Sequence, residues 1–291
     1  MTFHGSLVAI ITPFRNGTVD EKALGDLIEL QIANGTDGIV PCGTTGESAT
    51  LTHEEHKRVI EFTIEAVKRR VPVIAGTGSN ATDEAIEFTR HARSAGADAA
   101  LLISPYYNKP TQEGLYRHHK AIAEAVDIPQ ILYNIPGRTA VNMAPATVAR
   151  LATLKNIVGI KEGAGSLQQV SEIVQACGDR FTVLAGDDAL TLPMMAVGAT
   201  GVITVTANVA PAEMAAMVDA WEAGNVAGAR ALHFKLYPLF QALFFETNPV
   251  PVKHALALMG KATADVRLPL CAMSQENLDK LTRVMKDYGL V

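Results

Sequence analysis

Ile157-Val158-Gly159-Ile160-Lys161-Glu162 is a short apolar run that ends on an amine and a carboxylate. It reads as a buried parallel strand whose last residues reach the rim of a sheet. Working outward, seven more runs of the same kind appear: Leu7–Thr12, Gly38–Gly43, Val71–Thr77, Ala99–Pro105, Ile128–Ile135, Phe181–Gly186 and Gly201–Val205. They are largely apolar throughout rather than alternating, as strands covered on both faces should be. Seven of the connections carry helical patterns, starting with Val19–Ala33 and His53–Lys68. Thr18…Glu21, Thr52…Glu55 and Ser166…Gln169 have the spacing of a capping box. Eight such units predict an α/β protein, a closed (β/α)8 TIM barrel over residues 1–225, with an open doubly wound sheet as the alternative. Residues 226–291 carry three further helical patterns, Val226–Phe245, Val250–Met259 and Gln275–Asp287, and read as a C-terminal helical extension.

Composition narrows the function. The 291 residues are 48% hydrophobic and 19% charged, which suits a globular protein with a large core. A net charge of -5 and the lack of any basic tract argue against nucleic acid as a partner. No apolar run approaches the roughly 20 residues a membrane helix needs, and no signal peptide is evident. Cys42, Cys177 and Cys271 are odd in number and form no Cys-x-x-Cys pair, so a reduced, cytoplasmic protein is expected.

In a barrel the loops after the strands build the active site, so polar groups at strand ends are weighed first. Lys161 offers an amine that can attack a ketone and form an imine. Tyr133 is placed to carry protons next to such an imine through neighbouring hydroxyls. Pro136 and Gly137 predict a turn that brings Arg138 to the pocket mouth, where a guanidinium can hold a carboxylate by two parallel hydrogen bonds. Gly43–Ser48 is a tight polar turn whose Thr44, Thr45 and backbone amides suit a small carboxylate; without a Gly-Lys-Ser/Thr ending it is no phosphate loop. Each residue also has an ordinary reading: a solvated lysine or a partner for Glu162, a packing tyrosine, a surface arginine. Gly76-Thr77-Gly78 is too weak a motif to imply a nucleotide. His53 and His56 share a helical face but lack a third ligand, so no metal is expected. His118 and His119 read as solvated, Asp187–Asp188 as a cation site or, through Asp188, a helix cap, and Met194–Met195 and Phe244–Phe245 as core.

Taken together, Gly43-Thr44-Thr45-Gly46-Glu47, Tyr106-Tyr107-Asn108-Lys109-Pro110, Tyr133-Asn134-Ile135-Pro136-Gly137-Arg138 and Gly159-Ile160-Lys161-Glu162 resemble the class I pyruvate-dependent aldolase/lyase superfamily. The nearest match is its dihydrodipicolinate synthase family. The resemblance covers the whole chain, including Gly186-Asp187-Asp188 and Asn248-Pro249…Lys253. It implies condensation of pyruvate with L-aspartate 4-semialdehyde, and no metal or organic cofactor, because the lysine imine is the electron sink. Lys161 forms the imine on this view. Thr45 and the turn amides hold the pyruvate carboxylate. Tyr133, Thr44 and Tyr107 form a proton relay, Tyr107 reaching in from a neighbouring subunit. Arg138 receives the semialdehyde carboxylate, and the carbonyls of Gly186 and Ile203 line the pocket. The resemblance further implies a homotetramer built as a dimer of dimers. It also implies inhibition by L-lysine at a second site drawn from Ser48, Ala49, His53, His56, Asn80, Glu84 and Tyr106. Two rivals stand beside it: a sibling imine-forming aldolase for N-acetylneuraminate or 2-keto-3-deoxy sugar acids, against which Arg138 argues, and a keto-acid-binding regulator without turnover.

Overall fold

A computed structural model describes residues 3–291. Its eight principal strands are β1 Gly5–Ala9, β2 Gly38–Val40, β3 Ile74–Gly76, β4 Ala99–Ile103, β5 Gln130–Asn134, β6 Ile157–Glu162, β7 Thr182–Ala185 and β8 Gly201–Thr204. They form one sheet in the order β2-β1-β8-β7-β6-β5-β4-β3. That order follows the chain around a ring, with β8 next to β1, and has no reversal point of the kind a doubly wound sheet requires. The fold is the (β/α)8 barrel. Helices α1 Glu21–Ala33, α2 His53–Val67, α3 Thr82–Ala95, α4 Gln112–Ala125, α5 Pro145–Leu151, α6 Leu167–Cys177, α7 Thr191–Ala196 and α8 Pro211–Glu222 alternate with the strands. After them come α9 Val226–Ala242, α10 Val250–Leu258 and α11 Gln275–Tyr288. Among the described residues no helix is long and apolar enough to cross a membrane.

The chain divides into two compact units. One comprises Pro72–Ile203 with the N-terminal residues through Gly5, the other Ser6–Val71 with Thr204–Val291. In the first, Leu102 of β4, Ala85 of α3 and Ile122 of α4 are completely buried against one another. Burying Leu102 and Ile122 contributes on the order of 1.5–3 kcal/mol each. Two glycines mark close approaches. A Cβ on Gly159 would lie 2.6 Å from the Thr182 carbonyl oxygen, and one on Gly78 would lie 2.3 Å from the Ile103 nitrogen. The Gly76-Thr77-Gly78 sequence is thus a packing device between strand ends.

In the second unit, β1 pairs with β2 in parallel, Leu7 opposite Gly38. The Thr52…Glu55 capping box forms on α2 as expected. The one expected at Thr18…Glu21 does not. Asp20 caps α1 by accepting from the Ala23 N–H at 3.0 Å, and Glu21 is taken by Arg58 at 2.7 and 2.9 Å. At α6 Ser166 accepts the Gln169 N–H at 3.2 Å, but the Gln169 side chain turns away to Glu162, so only half of that box is present. Asp187 rather than Asp188 caps the short helix that follows it, and Asp188 is buried.

Two further expectations need correction. Phe244 and Phe245 are 49% and 37% exposed, because α9 ends at Ala242 and leaves them in a turn beyond the helix. His118 and His119 are buried, not solvated. Helix α4 is flanked by α3 and α5, so neighbours on two of its faces are both covered. His118 Nδ1 bonds the Thr82 hydroxyl at 2.9 Å, whereas neither ring nitrogen of His119 has a hydrogen-bond partner.

Burial pushes the His118 imidazole down to about 4 and His119 well below its usual value. Both groups are therefore neutral when folded, and the unfolded chain takes up protons first as pH falls. Stability from this source is complete above about pH 6.5 and is lost towards pH 4, by ~3 kcal/mol for His118 alone. His119→Phe keeps the ring and removes two partnerless nitrogens. It should raise the melting temperature and flatten the decline between neutral and acid pH. Thermal melts at pH 7 and pH 5 check this, and an unchanged acid sensitivity would refute it.

Candidate active site

Strand β6 delivers Lys161 and its neighbour β5 delivers Tyr133 at the same register position. Both are nearly buried, at 5% and 6% exposure, and the Lys161 Nζ lies 4.5 Å from the centre of the Tyr133 ring. On its other side β6 runs close to β7, where Gly159 leaves room for the Thr182 carbonyl. Successive residues of a strand face opposite ways, so Glu162 points away from Lys161. Its carboxylate is occupied instead. Asn134 Nδ2 donates to both oxygens at 3.1 and 3.0 Å, the Ala164 N–H donates at 2.7 Å, and Gln169 Nε2 at 3.0 Å. Burial raises the Glu162 carboxyl while these donors oppose the shift. The alternative of Lys161 as Glu162's ion-pair partner is thereby removed.

Arg138 sits on a short helical turn, Pro136–Thr139, and is exposed. The segment is tied at its base: Asn134 Oδ1 accepts the Met143 N–H at 2.9 Å, and Asn134 Nδ2 donates to Asn142 Oδ1 at 2.8 Å. The Gly186 N–H donates to the Glu162 carbonyl at 2.7 Å, and a Cβ there would lie 2.9 Å from that oxygen. Ile203 is buried in β8. Tyr107 follows β4 with a left-handed backbone (φ 69°) and a side chain 89% exposed. Its neighbour Tyr106 is partly buried, and burial together with Glu84 raises its phenol. Asn80 Nδ2 donates to the Tyr106 carbonyl at 3.4 Å, and the Ser79 hydroxyl donates to Glu84. Asn80, Glu84 and Tyr106 are therefore neighbours.

In the other unit the turn after β2 closes on itself. The Gly46 and Glu47 N–H groups donate to the Gly43 and Thr44 carbonyls, each at 3.1 Å, and the Thr12 hydroxyl donates to the Gly46 carbonyl at 2.7 Å. Thr44 is half-buried and Thr45 is buried, its hydroxyl accepting from Asn248 Nδ2 at 3.0 Å. Ser48 and Ala49 begin a 3-10 turn; His53 is exposed at the start of α2 and His56 is buried.

One element went unrecognised from sequence. Glu47 adopts φ 53° and is completely buried beside Lys253, whose ammonium donates to it and to the Asp265 carbonyl at 2.8 Å. The second Glu47 oxygen accepts the Arg267 N–H at 3.1 Å, and Lys253 Nζ lies 4.0 Å from the centre of the Phe14 ring. Burial lowers the Lys253 ammonium and Glu47 opposes that shift. A lone lysine inside the apolar run Val250–Met259 was the available signal, since a charge is buried only with a partner. Among the described residues no cluster of three or more His, Cys, Asp or Glu is arranged to hold a metal.

Residues 2–288 match the Dihydrodipicolinate synthetase family. The chain belongs to that family. A relative from Syntrophus aciditrophicus (strain SB), named 4-hydroxy-tetrahydrodipicolinate synthase, is 65% identical over 289 residues, 99% of each chain. The crystal structure of dihydrodipicolinate synthase from Aquifex aeolicus is similar with a TM-score of 0.98 at 54% identity, covering 99% of each chain. That of the Cyanidioschyzon merolae enzyme, with lysine bound, is similar at 0.97 and 40% identity over 99% of each chain.

Removing one partner of a buried pair leaves an uncompensated charge and costs about 3–5 kcal/mol. Lys253→Met should therefore destabilise this synthetase-family protein by that order. Lys253→Met combined with Glu47→Gln should recover much of the loss. Denaturant unfolding of the two single variants and the double variant measures the coupling, and additive losses would contradict it.

Proposed function

We propose that this chain condenses pyruvate with L-aspartate 4-semialdehyde to give 4-hydroxy-tetrahydrodipicolinate, the step that opens lysine biosynthesis through diaminopimelate. The observation that carries the reading is the buried Lys161 amine against the Tyr133 ring in a member of this family. Lys161 Nζ attacks the pyruvate ketone and water leaves, forming the imine. Loss of a methyl proton gives an enamine, with the imine nitrogen as electron sink. The enamine carbon attacks the semialdehyde carbonyl. The substrate amine then attacks the imine carbon, closing the ring and releasing Lys161. Tyr133, Thr44 and Tyr107 move the protons. Thr45 and the adjacent amides bind the pyruvate carboxylate, Arg138 binds that of the semialdehyde, and the Gly186 and Ile203 carbonyls line the site. The enzyme works in the cytoplasm as a homotetramer, a dimer of dimers; the exposure of Tyr107 supports its use by a neighbouring subunit.

Borohydride added with pyruvate should attach a pyruvyl group to Lys161, since only an imine is reduced to a stable secondary amine. Peptide mass mapping checks the position, and an adduct elsewhere or none at all refutes the mechanism. Tyr133→Phe should slow turnover at least about 100-fold while preserving shape, in line with the contribution of a positioned proton carrier. Arg138→Ala should weaken use of the semialdehyde and leave imine formation with pyruvate largely intact.

L-lysine is proposed as an inhibitor bound near Asn80, Glu84 and Tyr106, with Ser48, Ala49, His53 and His56 as further members of the site. The adjacency of Asn80, Glu84 and Tyr106 supports this. Calorimetry with L-lysine should detect binding that Glu84→Thr weakens, and pyruvate should shift lysine affinity by the same factor as lysine shifts that of pyruvate. Unchanged lysine binding in Glu84→Thr would remove the site.

A further inference from the structure

Thr45 is only 3% exposed, and its hydroxyl oxygen accepts the Asn248 amide N–H at 3.0 Å. A hydroxyl carries one proton and two acceptor lone pairs. With an N–H occupying one lone pair, the proton cannot point at Asn248 and is left for another partner. The opposite arrangement, a carbonyl at this position, would take the proton and leave the hydroxyl presenting only lone pairs, which repel a carboxylate. Both sides of the contact are anchored. Asn248 is 4% exposed and stands two residues before α10. The Lys253 N–H closes the first turn of that helix on the Pro249 carbonyl at 3.0 Å, and the Lys253 ammonium holds Glu47, two residues beyond Thr45. The same short stretch therefore fixes the backbone of the turn through Lys253 and the direction of one hydroxyl through Asn248.

We propose that Asn248 is a positioning residue that makes the Thr45 hydroxyl a committed donor to the carboxylate of the keto-acid substrate. This rests on the carboxylate-binding role proposed for Thr45 above. Asn248 itself acts only through Thr45.

The test compares Asn248→Ala, Asn248→Asp, Thr45→Val and the Asn248→Ala/Thr45→Val double variant in the full-length protein. Pyruvate affinity is read by calorimetry, and kcat and pyruvate KM are read separately. Melting curves report folding. Asn248→Ala frees the hydroxyl to rotate and should weaken pyruvate binding about tenfold, the worth of one hydrogen bond to a charged group. Asn248→Asp has the same shape but can only accept. It should draw the Thr45 proton to itself and weaken pyruvate roughly a hundredfold, through KM rather than kcat. A packing role for Asn248 predicts the reverse order, with the isosteric Asn248→Asp milder than Asn248→Ala, and that order overturns the proposal. In the Thr45→Val background the loss due to Asn248→Ala should disappear. Unchanged pyruvate binding in Thr45→Val overturns the role of Thr45 and this inference with it. Weakened binding there, with an undiminished loss from Asn248→Ala, overturns this inference alone.

Discussion

The buried pairing of Glu47 with Lys253 organises the unit built from Ser6–Val71 and Thr204–Val291. Desolvating each charge costs several kcal/mol, and such pairs are often no more stabilising than apolar side chains of the same volume. Here the pair is satisfied on every side: Lys253 by Glu47, the Asp265 carbonyl and the Phe14 ring, Glu47 by Lys253 and the Arg267 N–H. Arg267 continues outward to Glu55, with two contacts of 2.6 Å, and to the Thr50 carbonyl at 3.0 Å. What this arrangement provides is position. A non-glycine residue in the left-handed region costs about 1–2 kcal/mol, and Glu47 is held there by Lys253 and the Arg267 N–H. The Thr44–Thr45 turn inherits its shape from that restraint.

The other unit meets the same need with neutral groups. Asn134, Gln169 and the Ala164 N–H donate to the Glu162 carboxyl and Asn142 braces Asn134 and Gln169, so the strand end next to Lys161 is held without drawing on the lysine. Lys161 faces Tyr133, an aromatic face that attracts a cation only weakly. An ion pair at this point would oppose the proposed imine chemistry, which needs a free lone pair on nitrogen.

Strand β6 was legible to the residue, and the other strands to within about one to three residues at their ends. The overruns have local causes. The run Gly38–Gly43 stops pairing at Val40 because Cys42 turns to φ 54° and the chain enters the polar turn. The run Leu7–Thr12 ends at Ala9 because the Asn208 side chain takes the Ile11 N–H at 3.1 Å and Thr12 turns its hydroxyl to the Gly46 carbonyl. Periodicity sees neighbours a few residues apart; it does not see Asn208 acting across 197 positions, or Lys253 across 206. The same blindness misplaced His118 and His119, whose covering comes from α3 and α5. The candidate site residues were easier to single out, since an amine, a phenol and hydroxyls at strand ends are unusual companions for apolar runs.

The tie at the base of the Arg138 segment has a consequence for how such a protein can change. Asn134 grips Asn142 and the Met143 N–H, so the residues between them leave and rejoin the scaffold at a fixed pair of points. The excursion behaves as a cassette. Its tip carries the guanidinium while its seams belong to the strand that supports Tyr133. A lineage or an engineer can therefore change what the excursion presents by replacing it alone. Lys161, its aromatic neighbour and the geometry between them stay as they were.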